Sequence, residues 1–333
     1  MRYPLSRDFR LSFSDLKVFG SGFMRPECVL ALSNGELLAS HGAGGYSRLL
    51  SDGAVHHSLG SGVPGRRYIP NGIALAANGR VLFADLGEEE GGIFAFDADG
   101  RIRPLIETID GERLPPSNFV IVDGSDRIWF TVSTRQRPRS LAWNPYIADG
   151  FIGLLDERGP RIVADGLGYT NELAFSPGGG WLYVNETYGQ RISRFELRPG
   201  PSLGPKEIVA QLDDADLPDG LTFDCYAGLW VTCIASNRLM VLRPEGDLQV
   251  VLQDTDAAHA LKVSECVRES SLDFAQMQTA GHSRLGNIPS LAFGGADLKT
   301  AFLGCLLDDK IRGFTSPVAG ACPLHWNRRL GAS

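Results

Sequence analysis

The stretch Leu217-Pro-Asp-Gly-Leu-Thr-Phe-Asp-Cys-Tyr-Ala-Gly-Leu-Trp-Val231 contains two short apolar segments separated by a turn, with a polar residue, Asp219, before the first. Four earlier stretches keep the same order of polar residue, first strand, Gly/Asp/Asn turn and second strand. In each, the polar residue stands ten positions before the apolar core of the second strand. The polar positions are Glu27, Asn71, Asn118, Asn171 and Asp219, and the second-strand cores begin at Leu37, Val81, Ile128, Trp181 and Leu229.

The spacing of these stretches predicts the fold class. The polar position recurs at intervals of 44 to 53 residues, and Ile288-Pro-Ser-Leu-Ala-Phe293 opens a sixth unit. Repeats of about 45 residues that are rich in short strands are typical of β-propellers. Forty glycines and nineteen prolines agree with a turn-dense chain. The sequence therefore predicts an all-β fold, a six-bladed β-propeller, as a single domain over residues 1–333.

The second and last units indicate how blades form and how the ring closes. In the second unit, hairpin signals at Asn78-Gly79 and Asp99-Gly100 separate four predicted strands. These strands cover residues 73–76, 81–85, 93–97 and 102–106. In the last unit, residues 310–314 supply only a third strand. We therefore expect residues 15–19 to be the outer strand of the last blade, and residues from about 317 to form a C-terminal tail.

Two long insertions interrupt the repeat. The first, near residues 133–150, joins the second and third strands of the third unit and carries three arginines, Trp143 and Tyr146. The second, near residues 255–286, joins the fifth and sixth units and contains two short helical patterns. Antiparallel connectivity places both on the face where the polar positions converge. Their aromatic and apolar content favours ordered lids over disordered linkers.

The polar positions themselves indicate a metal site. Side chains at equivalent places in a closed ring meet near its axis, where an uncompensated carboxylate is costly to bury. Glu27 and Asp219 therefore need a cation, and Arg25 is the rival partner for a purely structural ion pair. A single Asn before a strand is usually a turn or cap residue. Five polar residues in one register are not explained in that way.

The composition of this ring favours one hard divalent cation. Two carboxylates balance a charge of +2, and amide oxygens and water complete the six or seven ligands of Ca²⁺. Zn²⁺, Mn²⁺, Mg²⁺ and Fe²⁺ are alternatives, although no histidine-rich spacing indicates a His-ligated zinc site. His41, at the upper end of the second strand in the first unit, is a candidate for a hydrogen bond to substrate or for a structural histidine.

Composition also excludes several classes of partner. A net charge of −7 with scattered Lys and Arg argues against nucleic acid and against an anionic membrane surface. No basic N-terminal segment precedes an apolar run, and no apolar stretch approaches eighteen residues, so neither a secretion signal nor a membrane span is predicted. We expect a cytoplasmic protein that acts on a small molecule. The oligomeric state is not indicated by the sequence.

Three segments carry a resemblance to a known family: Arg25-Pro-Glu27, Thr170-Asn-Glu-Leu-Ala-Phe-Ser-Pro177 with Trp181-Leu-Tyr-Val184, and the stretch from Leu217 quoted above. Over roughly residues 15–316 the chain resembles the senescence-marker-protein/regucalcin/gluconolactonase family of six-bladed propellers, which also includes diisopropylfluorophosphatase-like enzymes. The resemblance implies that Glu27, Asn171 and Asp219 bind a catalytic divalent metal, and that Asn118 contacts metal or substrate. Family members mostly open sugar lactones, and some cleave phosphofluoridates.

Two positions depart from the family pattern. Sugar lactonases of this kind often carry an Arg two residues before the blade-three Asn, where this chain has Pro116. The usual acidic residue after that Asn is Phe119 here. The departures predict a pocket that is less polar than one built for an aldonolactone.

The expected activity is a divalent-metal-dependent lactonase that opens a sugar lactone or a related small cyclic ester. Asp219 is the candidate general base, or the nucleophile in a covalent variant. Asn118 and Asn71 are candidates for donating amide N–H groups to substrate or oxyanion, and Arg25, Tyr169 and Trp143 for shaping the substrate site. The alternatives are a phosphotriesterase or phosphofluoridate hydrolase at the same metal, and a non-catalytic metal- or ligand-binding propeller. Substrate identity, native metal and direction of reaction stay open.

Overall fold

The computed structural model describes residues 3–331 and contains six four-stranded antiparallel sheets arranged as the blades of a β-propeller. The N-terminal strand is β1 (Lys17–Gly20). Blade one contains β2 (Val29–Ala31), β3 (Leu37–His41), β4 (Gly45–Leu49) and β5 (Val55–Leu59). Blade two contains β6 (Pro70–Leu75), β7 (Val81–Asp85), β8 (Gly92–Phe96) and β9 (Ile102–Ile106), and a small hairpin, β10 (Thr108–Ile109) and β11 (Glu112–Arg113), follows it.

The other four blades repeat this plan. Blade three contains β12 (Ser117–Val122), β13 (Ile128–Val132), β14 (Gly150–Asp156) and β15 (Gly159–Leu167). Blade four contains β16 (Thr170–Phe175), β17 (Trp181–Glu186), β18 (Arg191–Arg198) and β19 (Ser202–Gln211). Blade five contains β20 (Asp216–Phe223), β21 (Leu229–Ala235), β22 (Arg238–Leu242) and β23 (Leu248–Gln253). Blade six contains β24 (Leu291–Gly294), β25 (Thr300–Leu303), β26 (Ile311–Thr315) and β1. The predicted six-bladed all-β fold is confirmed.

The N-terminal segment closes the ring as predicted. Strand β1 pairs antiparallel with β26, with Lys17 opposite Gly313 and Val18 opposite Arg312. The strand lies slightly later than the predicted residues 15–19, because Asp15 ends a short 3₁₀ helix, Phe13–Asp15. The last blade thus takes strands from both ends of the chain.

A β-bulge recurs at the polar position of four inner strands. The ladder loses register between Pro70 and Ile73, and equivalent shifts occur around Asn118, Asn171 and Asp219 in blades three, four and five. A bulge takes a residue out of the regular ladder and redirects its side chain. The polar side chains therefore do not follow the alternation of side chains between the two faces of the sheet. They point toward the axis of the ring instead.

Glycines that follow two of these polar residues let neighbouring inner strands come close. A Cβ atom on Gly72 would lie 2.7 Å from the Cα atom of Phe119, and one on Gly220 would lie 2.3 Å from the carbonyl oxygen of Pro289. Both distances are shorter than van der Waals contact, so a side chain at either place would force the blades apart. Glycine in a strand interior often marks such a close backbone approach.

A paired Asp and Trp anchors the second strand in two blades. The Trp230 indole donates to Asp224 at 2.9 Å, and the Trp129 indole donates to Asp123 at 2.8 Å. Both indoles are fully buried. In blade five the Tyr3 hydroxyl also donates to Asp224, whose other oxygen accepts from the turn backbone. The pair ties the turn between the first two strands to the blade core.

The face on which the polar positions converge is called the upper face here. The C-terminal tail crosses the opposite, lower face of the ring. The Ala321 amide donates to Phe223 in blade five, the Ser33 amide of blade one donates to Trp326, and the Gly331 amide donates to Gly79 in blade two, each at 2.9 Å. A cavity of about 200 Å³ lies between the inner strands and residues 321–328. Among the helices within residues 3–331, none has both the length and the apolar character needed to cross a membrane.

The two insertions meet on the upper face. The first contains a 3₁₀ helix, Arg139–Ala142, and the second contains α1 (Ala257–Arg268) and α2 (Phe274–Met277). The Trp143 and Phe274 rings lie 5.0 Å apart, and the Tyr146 hydroxyl donates to the Arg268 carbonyl at 2.9 Å. The first insertion lies between β13 and β14 and the second between β23 and β24, and their function as lids stays a prediction.

The Asp–Trp pair predicts a stability difference between blades. We expect Trp230→Phe to lower the free energy of unfolding by about 1–3 kcal/mol, since the buried Asp224 carboxylate loses a hydrogen-bond donor. Trp181→Phe in blade four is the matched control, because Trp181 has no carboxylate partner among the described residues and stacks on Arg194. Urea unfolding of both variants measures the difference. Equal losses would contradict a stabilising function for the indole–carboxylate bond.

Candidate functional site

A cavity of about 150 Å³ opens at the upper end of the axis, beneath the two insertions. Its lining brings together eight of the predicted site residues, namely Arg25, Glu27, Asn71, Asn118, Trp143, Tyr169, Asn171 and Asp219. His41 does not line it: its ring lies 4.9 Å from the His57 ring, and its Nδ1 atom accepts from the Ala43 amide. The structure therefore gives no support to His41 as a substrate contact.

Three acceptor oxygens in this cavity have no hydrogen-bond partner. They are Oε2 of Glu27, Oδ1 of Asn171 and Oδ1 of Asp219, whose residues are only 2%, 4% and 5% exposed. A buried acceptor without a partner typically destabilises a protein by about 1–3 kcal/mol. Such groups in a folded protein call for an explanation, of which a bound ion is one. The three oxygens come from three different blades, and together they fit a cation.

Thr187 orients one of these oxygens. Its hydroxyl donates to the Pro218 carbonyl at 2.8 Å and so must accept the bond from the Asn171 amide nitrogen at 2.9 Å. A hydroxyl has one proton to donate. The Asn171 nitrogen therefore faces Thr187, and its oxygen is left free.

Asn71 links Arg25 to Glu27. Its Oδ1 atom accepts from Arg25 at 2.8 Å, while its Nδ2 atom donates to Glu27 at 2.7 Å and to the Asn118 carbonyl at 3.0 Å. The direct Arg25–Glu27 ion pair, the rival to a metal site, is not formed. Both amide protons of Asn71 are engaged, which corrects the expectation that Asn71 donates to substrate. It instead positions a carboxylate.

Burial dominates the electrostatics of the two carboxylates. Loss of solvation raises the pKa of Glu27 to about 7, although the Arg25 charge opposes the shift. Burial, followed by the charge of Glu27, raises the pKa of Asp219 well above its usual range. Burial likewise lowers the pKa of Arg25, an effect that the Glu27 charge opposes and the Arg139 charge reinforces. Without a further cation, the two carboxylates are poorly compensated.

The donor set suits a hard cation. Within residues 3–331, no group of three or more His, Cys, Asp and Glu side chains converges as a metal site. The candidate set instead combines two carboxylates with the amide oxygen of Asn171, and Asn118 is placed to add a second amide. Oxygen ligands of this kind suit Ca²⁺ or Mg²⁺ better than a soft metal.

Aromatic side chains form one wall of the cavity. The Trp143 indole donates to the Tyr169 hydroxyl at 2.9 Å, and the Tyr169 and Tyr188 rings lie 4.7 Å apart. Tyr169 and Arg25 both have a positive φ, 66° and 49°, which is uncommon for residues with a side chain. Backbone strain of this kind concentrates at functional sites. Each of these residues stands two positions before a candidate metal ligand.

Sequence reasoning did not identify several lining residues, among them Arg139, Thr187 and Tyr188, and it misplaced the effect of Phe119. Arg139 lies in an insertion whose arginines are not distinguished by the sequence, while Thr187 and Tyr188 follow the end of β17. The repeat register offered a signal for the last two, because β17 ends on the upper face. Phe119, expected to make the pocket less polar, packs into the core instead and does not line this cavity.

Solved structures similar to this one confirm the architecture. A gluconolactonase from Xanthomonas campestris superposes with a TM-score of 0.67 at 23% identity, over 91% of this chain and 89% of that protein. A calcium-binding regucalcin from Agrobacterium tumefaciens also gives a TM-score of 0.67, at 15% identity, over 97% and 99% of the two chains. At such identities the likeness establishes the fold alone.

Sequence relatives agree with the structural ones. A 6-deoxy-6-sulfogluconolactonase from Pseudomonas putida is 24% identical over 217 residues, which cover 64% of this chain and 62% of that protein. Human serum paraoxonase/arylesterase 1 is 26% identical over 145 residues, 42% of this chain and 40% of that protein. The chain thus spans less than two thirds of the relatives it matches. The family model of the SMP-30/gluconolactonase/LRE-like region matches residues 49–260, and the chain therefore belongs to this family.

Proposed function

We propose that the protein is a hydrolase that depends on a divalent cation and opens a lactone in the upper cavity. The observation that carries the proposal is the set of three unpartnered, buried oxygens of Glu27, Asn171 and Asp219. The relatives add support, since one is a 6-deoxy-6-sulfogluconolactonase and a structural neighbour is a gluconolactonase. Calcium is the first candidate cation, because the donors are all oxygens.

The chemistry divides between the ion and the side chains. A divalent ion held by Glu27, Asn171 and Asp219 would supply a Lewis acid for the lactone carbonyl and would lower the pKa of a water molecule. The Asp219 carboxylate, which has one oxygen without a partner, accepts the proton of the attacking water. The proton then passes to the alkoxide that leaves when the ring opens.

Other residues orient the reacting groups. Asn118, whose carbonyl accepts a hydrogen bond from Asn71, lines the cavity, and its own amide would contact substrate. The Trp143–Tyr169 hydrogen bond holds a rigid aromatic wall against which a small ring packs. Cover from α2 limits access of bulk water, which strengthens electrostatic interactions inside the cavity.

A second candidate function is hydrolysis of aryl esters or phosphotriesters at the same ion. The similarity to human serum paraoxonase/arylesterase 1 favours this candidate. The cavity is small, at about 150 Å³, and its opening is lined by side chains of both insertions. A compact lactone suits that volume better than a bulky phosphotriester. A non-catalytic binding propeller is the third alternative.

The test is a substrate panel on metal-stripped protein. The protein is reconstituted separately with Ca²⁺, Mg²⁺, Mn²⁺, Fe²⁺ and Zn²⁺, and is assayed on five- and six-membered lactones, phenyl acetate and a phosphotriester. We expect lactone opening that needs an added cation. Hydrolysis of only the aryl ester or the phosphotriester would select the second candidate. No turnover with any cation would refute the hydrolase.

Exchange of Asp219 tests the general base. We expect Asp219→Asn to lower kcat by about 10² to 10⁴, as is typical for loss of a general base, and to weaken calcium binding much less. Asp214→Asn is the control, since Asp214 is exposed and pairs with Arg268 on the surface. Stopped-flow or pH-stat assays and calorimetric calcium titration separate the two effects. Near-native turnover with normal calcium binding would mean that another group is the general base, and Glu27 would be the next candidate.

Exchange of Glu27 tests the cation through stability rather than activity. The pKa of Glu27 rises on folding from 4.5 to about 7, so the folded state binds the extra proton. For metal-free wild type this contribution lowers the free energy of unfolding as pH rises through that window. We expect Glu27→Gln to lack this decline and to be the more stable protein in chelator at pH 8.

Calcium should reverse that order. At a free concentration of about 100 times its Kd, a ligand stabilises the folded state by about 2.7 kcal/mol. We expect this gain for wild type and its loss in Glu27→Gln, as followed by thermal unfolding with and without calcium. Equal stabilisation of both proteins would remove Glu27 from the cation site.

Replacement of the second insertion tests the lid. Residues 279–287 are anchored to blade five, for example through Asn287 to Asn237, so the exchange is confined to residues 257–278. A short Gly/Ser loop there should leave a folded, calcium-binding propeller with lower turnover and an altered preference among lactones. Circular dichroism and the lactone panel measure both properties. Unchanged kinetics on every lactone would contradict the lid.

A further inference from the structure

Two guanidinium groups in the upper cavity have no ionic partner. Arg25 donates one hydrogen bond, to the neutral Asn71 amide, and its buried Nη1 atom has no partner at all. Arg139 forms neither an ion pair nor a hydrogen bond within residues 3–331; its guanidinium lies 5.8 Å from the centre of the Phe274 ring. Most other arginines that the structure describes, such as Arg66 and Arg191, contact carboxylates within 3.1 Å.

The charge of the occupied site follows from these contacts. The ionisable side chains of the lining that carry charge are Glu27, Asp219, Arg25 and Arg139. A divalent ion between the two carboxylates neutralises them. The two guanidinium charges then remain in the cavity, where charges interact more strongly than in bulk water. A net positive cavity of this kind selects an anionic ligand.

We propose that the natural substrate is an anionic lactone, whose carboxylate or comparable acidic substituent binds Arg139 with the help of Arg25. The proposal rests on the proposed function and adds the substrate class. Arginine suits this task because its planar guanidinium donates two parallel hydrogen bonds to an oxyanion. The contact of Arg139 with Phe274 leaves these donors free while it orients the side chain.

The competing explanation is that the two arginines only compensate the two carboxylates. The geometry argues against it, because Arg25 reaches Glu27 through the Asn71 amide and not directly. Arg139 lies on the first insertion, and although its charge opposes the rise that burial causes in the pKa of Glu27, its guanidinium bonds to no carboxylate among the described residues and lies near the Phe274 ring of the second insertion. A compensating charge would lie against a carboxylate. A ligand-binding charge needs free donors, as found here.

The experiment compares two lactones that differ only in charge. They are 5-oxotetrahydrofuran-2-carboxylate and its neutral carboxamide, assayed on calcium-loaded wild type, Arg139→Gln and Arg139→Lys. We expect wild type to prefer the carboxylate. Arg139→Gln should reduce that preference about tenfold or more, mainly through KM, since a hydrogen-bonded charge pair of this strength is lost. Arg139→Lys should retain part of it. Arg135→Gln, an arginine of the same insertion that pairs with Asp165 outside the cavity, should change neither rate.

A binding measurement separates this inference from the hydrolase. Tetrahydrofuran-2-carboxylate and its carboxamide cannot be opened, so calorimetric titration with calcium present reports charge preference alone. Selective binding of the carboxylate that is lost in Arg139→Gln supports the inference, even if neither lactone is hydrolysed. If both lactones are opened at equal rates and Arg139→Gln affects them equally, or if the titration finds no preference for the carboxylate, the inference is overturned while lactone hydrolysis stands.

Discussion

Six inner strands meet around one axis, and every polar group that they bring there loses its water. Close approach of the strands is possible only because residues such as Gly72 and Gly220 have no side chain. The same crowding leaves the oxygens of Glu27, Asn171 and Asp219 without partners. Desolvation of this kind is unfavourable unless a compensating charge is present. The upper end of the axis therefore presents three buried acceptors that a cation would satisfy.

The fold was predictable because each repeat is specified by residues that lie close together in the sequence. The constant spacing of ten residues between polar position and second strand reflects one hairpin geometry used five times, and the strands begin at Leu37, Val81, Ile128, Trp181 and Leu229 as expected. Closure of the ring by the N-terminal segment was predicted because the last repeat lacks a fourth strand of its own. The bulges were not predictable, because a ladder irregularity leaves no distinct residue type behind.

The site was predictable only in part, since its details depend on contacts between distant segments. The repeat register identified Glu27, Asn118, Asn171 and Asp219, all of which line the cavity. It did not reveal that Asn71 donates both amide protons to Glu27 and Asn118, or that Thr187 orients Asn171. Arg139 belongs to an insertion outside the repeat, where no register applies. Pairing of side chains across blades is a tertiary property that a sequence pattern does not contain.

The tail that crosses the lower face makes the two ends of the axis different. Residues 321–328 lie against the inner strands at the bottom, and the upper cavity lies at the opposite end, under the insertions. The unpartnered oxygens of Glu27, Asn171 and Asp219 therefore face the insertion side of the ring. In the proposed hydrolase, substrate would enter and product would leave past the same two insertions, and a product that retains affinity for the arginines would delay the next molecule. The C-terminal tail at the lower end, remote from the upper cavity, would thereby make product release a step on which turnover depends.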